Sequence, residues 1–362
     1  MKNKITHNQY TAIILNSFIG VGIVSLASET SKKAHQCSWI SVLISGIFPL
    51  LMLLVASYVD KKMYHEDFSY ILESLYGKFL GKLLLLIFLI NAFLSQSLII
   101  CGYIKILKLS ISVYIPSIII LVLIILITMY TTTKKLTTLG RLCELSLYFT
   151  VPLLFLPLLD IGFGNKTHLM PCFENAKAIV SAIPTSFNAY GGSEISFFLF
   201  ASISNRKNTT KHNIFPALIV TLIYTFITAI TVYFFGWTLT SKTDYSLLFV
   251  FKLVRPAIFS DFTSFFMIIW STSILLTLSI EQFIMCYCLS KMFNLNYEKT
   301  LYIGMPFVLL LSIINIISNE FMVKILKPIF NYVLILIFIW CIITFIVTFF
   351  KSNYKNSTEK YR

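Results

Sequence analysis

Residues 187–196 read FNAYGGSEIS and run directly into the apolar FFLFASIS. Glycine weakens a helix, and an acidic side chain at the centre of a membrane-spanning helix costs roughly 2.5–3.5 kcal/mol. Gly191, Gly192 and Glu194 together therefore need a reason. Freed backbone groups are tolerated at membrane depth where they line a cavity, and glycine lets a ligand approach the backbone. Two roles are open to Glu194: bracing an unwound amide, or meeting a ligand or a proton. A second glycine pair, Gly20 and Gly22 around Val21, sits near the middle of SFIGVGIVS. Small residues also serve close helix packing, so either pair alone reads as packing. Both at corresponding places in two halves of the chain, one beside a glutamate, point to two discontinuous helices.

Other polar residues add to that site. Ser273, Thr277 and Glu281 recur every four residues and share one helix face, which must turn toward the interior of a bundle. Asn91 and Gln96 lie five apart and cannot share a face; Gln96 is the one read as lining a pocket. Arg141 and Glu144, three apart, read as a structural pair. None of the five histidines lies in the middle of an apolar segment, which counts against a histidine relay or a haem. The CxC at Cys286 and Cys288 reads as two small buried hydrophobes. With no nucleophile–base motif and no metal-ligand spacing, neither an enzyme nor a cofactor is expected.

The elements that must position these residues are long and oily. Of the 362 residues 57% are hydrophobic and 12% charged, and the mean hydropathy is +0.83. Ten apolar segments recur, at 10–27, 38–59, 83–103, 111–130, 142–161, 181–203, 214–239, 262–289, 301–317 and 328–350. Nearly all are long enough to cross about 30 Å of hydrocarbon as a helix. They lack the alternation of barrel strands. The expectation is an all-α polytopic membrane protein with about ten transmembrane helices, lying in the lipid bilayer as a single permease-like domain over 1–362. Its two halves would be repeats, the first about 8–161 and the second about 178–350.

The net charge of +14 does not read as a nucleic-acid surface, because the basic residues lie in short connections rather than a stripe. With the N-terminus inside, 18 of the 29 Lys and Arg fall on the cytoplasmic side and 11 opposite, which sets both termini in the cytoplasm. The connection from Asp60 to Lys82 carries Phe68, Ile71, Leu72 and Leu75 at helical spacing, which fits either an amphipathic helix against the membrane face or a solvated loop with one short helix.

The chain resembles the spore germination permease family, the B-type integral membrane subunit of nutrient germinant receptors, within the amino acid–polyamine–organocation superfamily. The resemblance rests on ITHNQYTAIILNSFIGVGI, SWISVLISG, HEDFSYILESLYGKFLGK, LGRLCEL, YGGSEISFFLF, IIW and LSKMFNLNYEKTL, in that order along nearly the whole chain. It implies a LeuT-like 5+5 inverted repeat with helices 1 and 6 broken, and an amino acid or similar germinant as ligand. It also implies an A-type membrane subunit and a C-type lipoprotein as partners in the spore inner membrane. The second reading is an active proton- or cation-coupled amino acid transporter. Three positions depart from the family pattern: Ala27 in place of a proline, no acidic residue just before Trp39, and Asp261–Phe262–Thr263 where a charged Arg-x-Glu-like pattern is usual.

For an amino acid, the helix that begins after Gly20–Val21–Gly22 offers a positive dipole end to the carboxylate. Carbonyls around Asn188 and Tyr190 would face the ammonium while Gly191 and Gly192 turn the chain. Tyr190, Gln96, Ser273, Thr277, Glu281 and Glu194 complete the expected pocket.

Overall fold

Thr6 and Gln9 form a capping box, each side chain accepting from the other's backbone N–H (3.1 and 3.3 Å), and so start the first helix, α1, His7–Phe18. Gly20 N–H folds back on the carbonyl of Phe18, two residues earlier, at 2.7 Å. The helix resumes as α2, Gly22–Ala34, with no side chain capping it. Beyond it come α3, Ser38–Ser45, and α4, Ile47–Lys62. The chain continues through α5, Phe68–Tyr76; α6, Lys78–Ser110; α7, Ser117–Thr132; and α8, Leu136–Leu154. This is a computed structural model, and the described residues are 4–63, 66–171, 173, 175–204, 209–253 and 262–359, with side chains described as far as 351. His65, one of the five histidines, and Asp261 lie outside them.

The second half opens with another interrupted stretch. Helix α9, Ala176–Ala182, tightens into a 3₁₀ turn at Ile183–Ser186, continues as turns to Glu194, and resumes as α10, Ile195–Leu199. Long helices follow: α11, Thr209–Lys242, with a non-helical Gly236; α12, Ser246–Leu253; α13, Thr263–Phe293; and α14, Tyr297–Ile317. A short α15, Asn319–Phe321, leads through a π turn into α16, Lys327–Glu359.

Among the described residues, seven continuous helical runs are long and apolar enough to cross a membrane, against ten apolar segments in the sequence. The difference has a physical origin. The first segment is divided between α1 and the run opening at Gly22, and the sixth is divided into short pieces. Helix α7 has only 16 residues, about 24 Å of rise.

The connection from Asp60 to Lys82 corrects the sequence reading. Helix α5 turns Phe68, Ile71 and Leu72 inward, each 2% exposed or less, rather than toward a membrane surface. Phe68 sits among Phe88, Phe197, Phe198 and Trp340, with ring centroids 4.7–5.8 Å away. Tyr287 on α13 accepts from Ser69 N–H at 2.9 Å, and Lys291 pairs with Asp67 at 2.7 Å. Aromatic faces and edges of this kind pack densely, so the plug closes one end of the bundle interior.

Candidate ligand-binding site

The two interruptions face each other. A Cβ placed on Gly22 would lie 2.9 Å from Ala189 Cα, so only glycine lets α2 approach the second break this closely. Gly192 has φ +103°, a conformation that favours glycine, and a Cβ there would lie 2.8 Å from the carbonyl oxygen of Ser17. The Ser17 hydroxyl donates to the Gly192 carbonyl at 3.0 Å. From α11, the Tyr224 hydroxyl sits between the Phe18 carbonyl at one break and the Ala189 carbonyl at the other, 3.0 Å away. From α13, the Thr277 hydroxyl donates to the Asn16 carbonyl at 2.7 Å. Backbone groups that a continuous helix would pair internally are thus met by side chains of neighbouring helices.

Glu194 turns back on its own break. Gly192 N–H donates to one carboxylate oxygen at 3.0 Å, and Asn91 Nδ2 on α6 donates to the other at 2.8 Å. One helical turn further along α6, Ser95 donates to Glu281 of α13 at 2.8 Å. Both glutamates are nearly inaccessible, at 2% and 4% exposure.

From the two breaks a cavity of about 790 Å³ extends along α6 to the start of α16, within the range of small-molecule sites. Gly20, Val21 and Gly22 line it from the first break, and Asn188, Gly191, Gly192 and Glu194 from the second. Thr277 and Glu281 complete its floor from α13. It opens beside Lys32 and Asp244, whose side chains are 51% and 83% exposed, and ends at the carboxylates, one turn short of the Phe197–Phe198 plug. Helix α2 begins at Gly22 without a side-chain cap, with Val24 N–H on the Val21 carbonyl at 3.2 Å, and its positive end lies beside this cavity.

Three expected residues are placed elsewhere. Gln96 donates to the Ala92 carbonyl of its own helix at 3.0 Å and packs on Met285. Tyr190 is fully buried, donates to the Val42 carbonyl at 3.0 Å and packs its ring on Tyr224. Ser273 sits 2.8 Å from both Ser146 and Thr150 of α8. The polar stripe on α13 does turn inward, but its three members meet α8, α1 and α6 in succession. Among the described residues no ion pair joins Arg141 to Glu144. Asn91, set aside in favour of Gln96, is the residue of that pair that reaches the cavity, and Ser17, Ser95 and Tyr224 went unread. No short-range pattern marks these; each is a single hydroxyl or amide in a long apolar run.

A multi-pass helical bundle with two facing breaks defines a transporter-type membrane protein. The fold resembles that of MhsT in complex with L-phenylalanine (TM-score 0.68, 13% identity, 97% of each chain covered). It also resembles a Na+-coupled sialic acid symporter in a substrate-bound outward-open state (TM-score 0.65, 10% identity, 93% of this chain and 77% of that one). These likenesses show a LeuT-type fold. The family model described as "Spore germination protein" matches residues 4–321, and the chain belongs to that family. Its relatives include spore germination protein YndE of Bacillus subtilis (strain 168), 24% identical with 93% of both chains covered. Spore germination protein GerQB of Bacillus cereus is 19% identical with 83% of both covered.

Proposed function

We propose that this protein is the B-type membrane subunit of a spore nutrient germinant receptor and binds an amino acid-type germinant between its two helix breaks. The observation that carries this reading is the cavity itself. Unwound backbone from two segments far apart in the chain meets there, with the uncapped start of α2 on one side and buried carboxyl groups on the other. An amino acid's carboxylate suits the amides at the start of α2, and its ammonium suits the acceptors beside Glu194. Family membership supports the germination role. The partners are an A-type membrane subunit and a C-type lipoprotein, the location is the spore inner membrane, and both termini are cytoplasmic. Within the chain, the halves at about 8–161 and 178–350 act as the two repeats whose first segments form the breaks.

The test is binding of a panel of L-amino acids to the purified protein, alone and with the two partner subunits. Saturable binding that is lost in Gly192→Val supports the site; binding unaffected by that change places the ligand elsewhere. A second reading, an active amino acid symporter, draws on the one-sided opening of the cavity, which suits one state of an alternating-access cycle. Uptake of the bound amino acid into proteoliposomes would favour it over a receptor that only binds.

A further inference from the structure

The floor of the cavity holds two carboxylates, and an amino acid with an uncharged side chain brings one ammonium. Asn91 holds Glu194 and Ser95 holds Glu281. Their holders are four residues apart on one face of α6, about 6 Å of rise, so the two acids lie side by side. Neither meets a basic side chain among the described residues. The lysines of the cavity wall are all at its mouth and all engaged. Lys327 pairs with Glu29 at 2.7 Å and Lys32 with Asp244 at 3.9 Å. Lys108 donates to the Val113 and Ile115 carbonyls, and Lys105 to Asn319. Among the described residues no cation donates to either floor carboxylate.

The hydroxyl hydrogens of Thr277 and Ser17 are committed as well. Thr277 gives its proton to the Asn16 carbonyl, and Ser17 shares its single hydroxyl hydrogen between the Ile14 and Gly192 carbonyls. Asn91 must turn its NH₂ to Glu194, because a carboxylate only accepts; its Oδ1, in a residue 2% exposed, is left without a partner. Ser95 meets one oxygen of Glu281, and among the described residues no donor meets the other. What remains at the floor is two carboxyl groups and acceptors without a donor, Asn91 Oδ1 and the second oxygen of Glu281. A buried acceptor without a donor is destabilising, the more so when it is charged. The missing complement is a group rich in N–H donors and positive charge, which a primary ammonium supplies with three donors on one centre.

Resting on the amino acid reading above, we infer that the cavity selects basic amines: an amino acid with a cationic side chain or a small diamine, with Glu194, Glu281 and Asn91 Oδ1 as the seat for its cationic groups. The first ammonium meets Glu194 beside the breaks, and the second charge meets Glu281 one turn along α6. A neutral amino acid leaves one carboxylate unmatched and binds more weakly.

The experiment is calorimetric titration of the full chain in detergent at neutral pH with L-lysine, L-ornithine, putrescine, L-alanine and L-phenylalanine, and with KCl and NaCl alone. L-lysine or L-ornithine should bind at least tenfold tighter than L-alanine. Glu281→Gln, which can still accept from Ser95, should lower that ratio at least tenfold. Glu194→Gln is the second variant, and melting temperatures near that of the unaltered protein show that each one folds. Neutral amino acids binding as tightly as L-lysine overturn the inference and leave the amino acid reading standing. So does a lysine preference that both variants leave unchanged. Saturable binding of the alkali cation alone, with no amine competing, overturns it in favour of a bare-ion seat. Silence across the whole panel removes both.

Discussion

Glu194 receives one donor from its own unwound backbone and one from α6, so it joins a helix break to a neighbouring helix. That geometry answers why an apolar stretch keeps a carboxylate: the group satisfies Gly192 N–H where no helical carbonyl can. The same residue also lines the cavity, and substitution separates the two roles. In Glu194→Gln, the new amide oxygen can accept from Gly192 N–H while its NH₂ meets Asn91 Oδ1 after that amide turns over. The brace survives and the charge is lost. Ligand response in spores carrying Glu194→Gln should fall at least tenfold, about 1.4 kcal/mol, with the protein still present at normal level. Glu194→Leu removes both acceptors, leaving two buried donors unmet at about 1–3 kcal/mol each. Its melting temperature should drop, as thermal unfolding in detergent would show. A Leu variant with unaltered melting and response would mean that Glu194 neither braces nor binds.

At the scale of elements, the breaks depend on two glycines for different reasons. Gly22 is a matter of space against Ala189, whereas Gly192 combines positive φ with contact against Ser17. Gly192→Ala adds about 1–3 kcal/mol of backbone strain to that collision, so it should damage stability and ligand affinity together, as melting and titration of one sample would show. Helix α5 offers a comparison of magnitudes. The Lys291–Asp67 pair is 42% and 33% exposed, and pairs in contact with water contribute about 0–1 kcal/mol. Phe68 is buried among four aromatic rings, and removing such a side chain costs about 3–5 kcal/mol. Phe68→Ala should therefore destabilise the protein several times more than Asp67→Asn. Equal losses in chemical denaturation would show that the ion pair, not the aromatic seat, holds α5.

For the whole molecule, the excess of basic residues on one side predicts the orientation in the bilayer. Thr167, between α8 and α9, and Glu298, in the first turn of α14, are exposed and lie on opposite sides under that orientation. A cysteine at Thr167 should react with an impermeant maleimide in intact cells, and one at Glu298 only after permeabilisation. The reverse pattern would invert the topology and turn the cavity mouth toward the cytoplasm. The same arrangement explains why one end is open and the other closed. The aromatic residues just after Glu194 pack on α5 and α16, while the mouth is framed by charged ends of α2, α6 and α16.

Much of this was written locally. Hydropathy sets the bundle because apolar helices in lipid need no distant partner to satisfy their backbone. Gly20, Gly22, Gly191 and Gly192 mark the two breaks because conformational freedom is a property of the residue itself. Glu194 and Glu281 were legible because a buried charge is costly wherever it lies. What only the tertiary structure decided is which polar groups meet. Asn91 rather than Gln96 reaches Glu194 because α6 presents the Asn91–Ser95 face to the breaks, a rotation set by packing against α13 and not by spacing along the chain. Tyr190 turns from the cavity to Val42, and Ser273 to α8, for the same reason. The amphipathic face of α5 announced that it would be buried but not against what: lipid headgroups and a protein aromatic cluster are both apolar enough, and the choice fell to the shape of the surface that the rest of the fold supplies.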